Sequence, residues 1–228
     1  MKARMITKVI ALLAGVCSLA AASELSAARD RQDLAALDGL IARYQKSAQA
    51  PDGLYHLALA NSYAAEVALE LRDKKKAESY AQAGIDPAQK AVAANGGNAE
   101  YHRLLGQICG QVIPANPLLG ALKYGQCARD EIAKALQMDS KLAMAYVSRG
   151  VGNYYLPASM GGGVDVALKD FDKAISLDAK LPDAYLWKGV ALRKANRNGE
   201  ARQALARAAQ LNPARLWTKQ QLDKTPAQ

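Results

Sequence analysis

Few residues of this 228-residue chain are of types that do chemistry. The two histidines are His56 and His102. A metal or acid–base role would need each to meet a carboxylate or a cysteine, because a single imidazole is an incomplete metal site and an acid or base must be held against its partner. The plainer reading is packing. Each histidine leads a helical run (His56, Leu59, Ala60, Tyr63; His102, Leu105, Gly106, Cys109), where an imidazole fills volume. Gly161-Gly162-Gly163 suggests a phosphate cradle, but no Lys-Ser/Thr follows it, so a connecting loop is expected instead. No Ser-His-Asp or Cys-His set has a recognisable local context. The residues point to no catalytic group, no metal and no cofactor, and to a protein that is not an enzyme.

Residues 1–22 have the pattern of a secretory signal peptide. Lys2, Arg4 and Lys8 make a basic start, Val9 to Ala22 carries no charge, and Ala20-Ala21-Ala22 offers a cleavage site before Ser23. The apolar run is shorter than the roughly 20 residues of a membrane span. Cys17 raises the alternative of a lipid anchor, but Val16 is bulky where such sites place a small residue. The expectation is an exported, periplasmic protein with no stable membrane insertion after cleavage. Removal of that segment takes three of the 30 basic residues and none of the 21 acidic ones, so the net charge falls from +9 to +6. Apart from Lys74-Lys75-Lys76 there is no dense basic block, and no nucleic-acid partner is expected.

No segment shows sustained strand alternation, and the chain reads as all-α. Its organising stretch is Pro182 to Pro213. Gly189 and Ala201 are small, as a close crossing of two helices requires; Tyr185, Leu192 and Leu205 fill the volume beside them. Asn198-Gly199 is a turn signal between the two runs, and Pro213 ends the second. With Pro182 as position 1, Tyr185, Gly189, Leu192, Ala201, Leu205, Ala208 and Pro213 fall at positions 4, 8, 11, 20, 24, 27 and 32. This resembles a tetratricopeptide repeat (TPR), with Lys188 and Leu192 departing from its usual Leu and Tyr. The same positions recur upstream as Tyr146, Gly150, Ala167, Phe171 and Ala174, and again as His102, Gly106, Ala128, Ile132 and Ala135. Gly150 and Ala167 are 17 apart and Gly106 and Ala128 are 22 apart, against 12 for Gly189 and Ala201. Five residues are thus inserted within 156–163 and ten around Ile113-Pro114-Ala115-Asn116-Pro117. Both insertions lengthen the same edge of a stack, often the binding edge.

The expected architecture is a TPR-like α-solenoid of antiparallel helix pairs with enlarged inter-helix loops. It comprises the signal peptide (1–22), an N-terminal helix (23–52, centred on 31–47), repeats at 53–98, 99–142, 143–181 and 182–213, and a C-terminal capping helix and tail (214–228). Asp86-Pro87 is expected to kink or restart the helix that begins at Lys75. The run KAVAANGGNAEYHRLLGQ, the enlarged second pair, the Gly-rich insert and the regular last repeat together resemble the exported T component of tripartite (TRAP) periplasmic transporters. Eukaryotic regulators of microtubule dynamics share that layout. The resemblance covers about 53–213 and implies a periplasmic helical scaffold, with a ligand pore as a variant. It carries over no catalytic residue, because the matched positions are packing positions.

Cys109 and Cys127 are left as an even pair after export and flank the ten-residue insertion. A disulfide and two free thiols are both open readings. By analogy with TPR proteins, the concave face takes Glu100, Arg103, Gln107 and Gln111, then Met144, Val147, Val151, Tyr154 and Tyr155, then Asp183, Leu186, Val190, Arg193 and Lys194. The apolar, aromatic middle followed by cations suits a protein or peptide partner, or a small apolar or amphiphilic ligand with an acidic end. The expected contact site is Val147, Val151, Tyr154, Tyr155, Leu156, Met160, Arg193 and Lys194. The competing reading folds the N-terminal helix or the inserted loops over this face and buries it. Two functions follow: a non-enzymatic scaffold with an open groove, or a solute-binding accessory of a transporter with an enclosed apolar pocket.

Overall fold

The computed structural model describes residues 23–227, and the expected signal peptide at 1–22 lies outside them. The described chain contains no strand. Residues 23–30 form helix α1. It is followed by α2 (Leu34–Ser47), α3 (Pro51–Glu70), α4 (Lys74–Ala94), α5 (Ala99–Ala115) and α6 (Pro117–Met138). Then come α7 (Ala143–Tyr155), α8 (Val164–Leu177), α9 (Pro182–Lys194), α10 (Asn198–Leu211) and α11 (Leu216–Asp223). The pairs α3/α4, α5/α6, α7/α8 and α9/α10 stack in chain order, and α11 packs on the last.

Local chemistry sets the helix ends. Pro51, Pro117 and Pro182 occupy first turns, where a missing N–H costs nothing. Asp33, Asp73 and Asn98 cap α2, α4 and α5 by accepting from Ala36 N, Lys76 N and Glu100 N. One turn is used three times. Gln32, Arg72 and Asn196 adopt φ values of 55°, 65° and 59°. The residue after each donates back five positions: Asp33 N to Ala28 O, Asp73 N to Ala68 O, and Arg197 N to Leu192 O, at 2.9–3.0 Å. The single N-terminal helix read from the sequence is therefore two, joined by the same turn as the first and last repeats. That turn also displaces the one expected at Asn198-Gly199, which lies in the first turn of α10.

The core is built on close approach. Ala58, Ala60, Ala64, Ala77, Ala167, Ala184 and Ala201 are fully buried between helices. A Cβ on Gly150 would lie 2.5 Å from Phe171 Cε1, and one on Gly189 would lie 2.5 Å from Leu205 Cγ. Burying an aromatic or leucine side chain in such a seam contributes about 1.5–3 kcal/mol, and Phe171 and Leu205 are wholly enclosed.

The two insertions differ in form. The ten residues between the second pair do not make a loop. They lengthen both helices, so that Asn116 alone separates α5 from α6. Pro114 fits the last turn of α5 and Pro117 the first of α6. Pro87 likewise lies inside α4, which runs on through it, so of the kink or restart expected there the helix makes no restart. Cys109 and Cys127 join across the long hairpin in a disulfide with their Cα atoms 6.1 Å apart.

Candidate functional site

The five-residue insertion after α7 is a compact loop rather than a loose one. Gly161 and Gly163 have φ of 84° and 104°, conformations that L side chains rarely adopt. Gly162 packs against the Leu156 carbonyl, leaving no room for a side chain. Gly162 N donates to Pro157 O at 3.1 Å and Gly163 N to Asn153 O at 2.8 Å. Buried Asp170 in α8 holds the base of the loop by accepting from Asn153 Nδ2 and Arg149 at 2.6–3.0 Å. The glycines serve a fixed shape here.

Beside this loop the structure places four aromatic rings in an unbroken row. The Tyr154 and Tyr155 ring centroids are 5.0 Å apart, edge to face. Trp187, from α9, lies 6.0 Å from Tyr154 and 6.3 Å from Tyr155. Trp217, from α11, lies 5.1 Å from Trp187. Tyr155 is 48% exposed and Met160 67% exposed, while Tyr154, Leu156, Trp187 and Trp217 are half-buried. Partial burial pushes the Tyr155 phenol up to about 12, so it stays a neutral donor. Lys194 Nζ stands 4.2 Å from the Tyr154 ring centroid and donates to Tyr154 O at 3.1 Å. The two tryptophans were not singled out from the sequence. Their aromatic type is a signal, but positions 30 residues apart meet only when α9 and α11 stack.

Other expected contact residues lie elsewhere. Val147 is 3% exposed and belongs to the seam of α7, α8 and α9, so it faces no open surface. Val151 is partly buried against the same seam. Arg193 is held by the C-terminal segment, donating to Gln221 O, Gln221 Oε1 and Thr225 Oγ1 at 2.6–3.3 Å. Its guanidinium is engaged within the chain; Lys194 stands beside Tyr154, and the buried Arg215 lies 5.9 Å from the Trp217 ring. His102 is fully buried, with Nδ1 2.5 Å from Glu131 Oε2 and Nε2 3.1 Å from Gly96 O. His56 stacks on Tyr44 and meets Tyr55 edge to face. Among the described residues no group of three or more His, Cys, Asp or Glu is placed to hold a metal. No described helix is long and apolar enough to cross a membrane.

The rest of the inner face is not an open groove. Arg103 in α5 pairs with Glu100 at 2.6 Å and donates to Gln107 and to Ser148 of α7. Gln107 and Gln111 bond Ser62 of α3. These groups form a polar layer between successive helices. Residues 29–33 then bridge the two ends of the solenoid. Arg29 Nη1 donates to Asp183 Oδ2 at 3.2 Å, and its guanidinium lies 4.9 Å from the Tyr63 ring centroid. Asp30 accepts from Asn212 Nδ2 at 2.7 Å. Arg215, 1% exposed, donates to Arg29 O at 3.0 Å, to Glu66 at 2.8 Å and to Glu70. Burial alone would lift the Asp183 carboxyl, but Arg29 and Arg215 hold it below the ordinary carboxylate range. The concave face is thus covered around Asp183 by the chain's own N-terminal segment and left open near Tyr155. Two surface depressions, of about 230 and 360 Å³, lie between α9 and α10 and between α1 and α2, away from the aromatic row.

Stacked helix pairs with a small residue at each crossing define a TPR solenoid. The chain belongs to the family described as regulator of microtubule dynamics protein 1-3, whose model matches residues 18–160. That span includes Tyr154, Tyr155, Leu156 and Met160 and stops short of Trp187 and Trp217. A search of curated proteins found no match. Among solved structures, TTC0263, a thermophilic TPR protein of Thermus thermophilus, matches with a TM-score of 0.62 at 18% identity, over 84% of this chain and 91% of that one. YrrB, a TPR protein described as having an unusual peptide-binding site, gives 0.41 at 20% identity, over 81% and 82%. The TPR2AB domain of yeast Sti1 in complex with pHSP90 gives 0.43 at 17% identity, over 90% and 82%.

Proposed function

We propose that this protein is a non-enzymatic scaffold that holds a protein or peptide partner on the row Tyr155, Tyr154, Trp187 and Trp217, with Lys194 and the Leu156–Gly163 loop at its edge. The observation that carries this reading is the row itself. Four rings from three helices meet at the surface, each combining an apolar face with a polar group. Amphipathic rings of this kind are rigid and cost little entropy to order, which is why they dominate contact energetics. Lys194 adds a cation that suits an acidic group on the partner. We propose further that the chain works after export to the periplasm. The basic and apolar start of the sequence supports this, as does the Cys109–Cys127 disulfide, a bond that persists in oxidising compartments.

The test is the double variant Tyr154→Ala with Tyr155→Ala. Wild type and variant are used in parallel pull-downs from periplasmic extract. The expected result is a partner retained by wild type and lost by the variant, with helical circular dichroism and melting temperature near wild type. Loss of the fold would assign both tyrosines to the core. Unchanged capture with an unchanged fold would remove the row from consideration.

A further inference from the structure

The contacts of Arg29 do more than tie down an N-terminal helix. From the groove its guanidinium meets Asp183 Oδ2 at 3.2 Å and the Tyr63 ring, while its own neighbour Asp30 accepts from Nε and Nη2 at 3.0–3.2 Å. A planar cation set beside an aromatic ring while donating to a carboxylate suits a guanidinium better than a point charge. Asp183 and Tyr63 belong to α9 and α3, at opposite ends of the stack. Without α1, the carboxylates Asp183, Glu66 and Glu70 would share the single guanidinium of Arg215, since Arg103 is committed to Glu100. A cation is needed there for charge balance.

The segment that supplies this cation is held by polar ties and by a small apolar face that joins the core. Within α1 the fully buried apolar side chains are Leu25 and Ala28. Further ties to the far end run from Asp30 to Asn212 and Arg215, from the Arg29 carbonyl to Arg215, and between the Gln32 and Gln220 amides. On its outer side a depression of about 360 Å³ separates α1 from α2, lined by Ala27, Arg31, Gly39 and Leu40. The connection to α2 turns at Gln32, a non-glycine residue at φ 55°, so the segment joins the solenoid through one tight turn.

We infer that the groove between α3 and α9 is a guanidinium-binding site that Arg29 occupies in cis, and that an arginine-bearing helix of a protein partner competes with residues 23–33 for it. The site is separate from the aromatic row, and its test does not depend on that reading. The occupant already in place defines the partner: a short helix with a small apolar face, like Leu25 and Ala28, followed by an arginine.

A fluorescent peptide of residues 23–33 serves as the probe, titrated by anisotropy against the full chain and its Arg29→Ala variant. Wild type should bind it weakly, because its own Arg29 holds the site. Arg29→Ala should bind it at least about tenfold more tightly, since close charge pairs of this kind couple by more than the roughly 1.4 kcal/mol that a factor of ten represents. The peptide carrying Arg29→Lys should lose most of that gain. A folded Arg29→Ala chain that binds the peptide no better than wild type overturns the inference. Hydrogen exchange on the wild-type chain decides the matter if the variant does not fold. Amides of 26–30 that open well before those of α5 show a displaceable segment. Exchange of both only by global unfolding makes α1 a permanent part of the core and overturns the inference.

Discussion

Gly150 and Gly152 lie two residues apart in α7, yet alanine should have opposite effects at the two positions. At Gly150 a Cβ would sit 2.5, 2.9 and 3.0 Å from three atoms of the Phe171 ring. Carbon atoms rest about 3.5–4.0 Å apart, so the shortfall is close to about 1 Å. Phe171 is fully buried and has little room to retreat. Overpacking of this kind costs about 1–3 kcal/mol. At Gly152 no atom lies within 4 Å of the same Cβ. Both substitutions gain the helix preference of alanine over glycine, roughly 1 kcal/mol. That gain cancels in the comparison, so the difference between the variants isolates the packing cost of the crossing. Gly152→Ala should melt above wild type. Gly150→Ala should melt below Gly152→Ala by roughly 2–4 °C for each kcal/mol at this chain size. Gly150→Leu and Gly189→Leu, whose Cβ would strike Leu205, should fall further. Differential scanning calorimetry on the four variants measures this. Equal melting of Gly150→Ala and Gly152→Ala would refute the close crossing and the repeat register built on it.

The Cys109–Cys127 bond closes a loop of 18 residues, which on the chain-entropy estimate stabilises by about 3 kcal/mol. A reductant should lower the urea midpoint of wild type and leave that of a Cys109→Ser, Cys127→Ser variant unchanged; equal midpoints for reduced and oxidised wild type would remove the staple from the stability of the hairpin. Arg215→Met leaves the enclosed Glu70 side chain and the half-buried Glu66 without the guanidinium that pairs them and should cost about 3–5 kcal/mol in denaturant unfolding. A loss under about 1 kcal/mol, the scale of an exposed ion pair, would show that the bridge between the chain ends contributes little.

Parts of the fold were legible for a local reason. Close helix crossings demand small residues, and a repeated crossing leaves Gly106, Gly150 and Gly189 at matching positions along the chain. The spacing also counted the inserted residues correctly. It could not give their conformation: Pro114 and Pro117 suggested a loop, but Pro117 sits in the first turn of α6, where proline costs a helix little, α5 runs on through Pro114, and the ten residues became helix. One local signal went unread. Ala28-Arg29-Asp30-Arg31-Gln32-Asp33 has the same plan as Ala68-Leu69-Glu70-Leu71-Arg72-Asp73, and both make the same turn.

The candidate sites depended on tertiary structure. Tyr154 and Tyr155 could be picked out because they share the end of one helix. Trp187 and Trp217 joined them only through stacking of α9 and α11. The bridges from Arg29 to Asp183 and from Arg215 to Glu66 join residues 154 and 149 positions apart. A periodic pattern records which face of a helix is buried against its neighbours. It carries no record of which residue from a distant helix will arrive there, because that depends on the accumulated rotation of every pair in between. Residue types and spacing therefore determined the helices and their crossings. Only the closed stack decided that the N-terminal segment fills part of the inner face and that the aromatic row stays open.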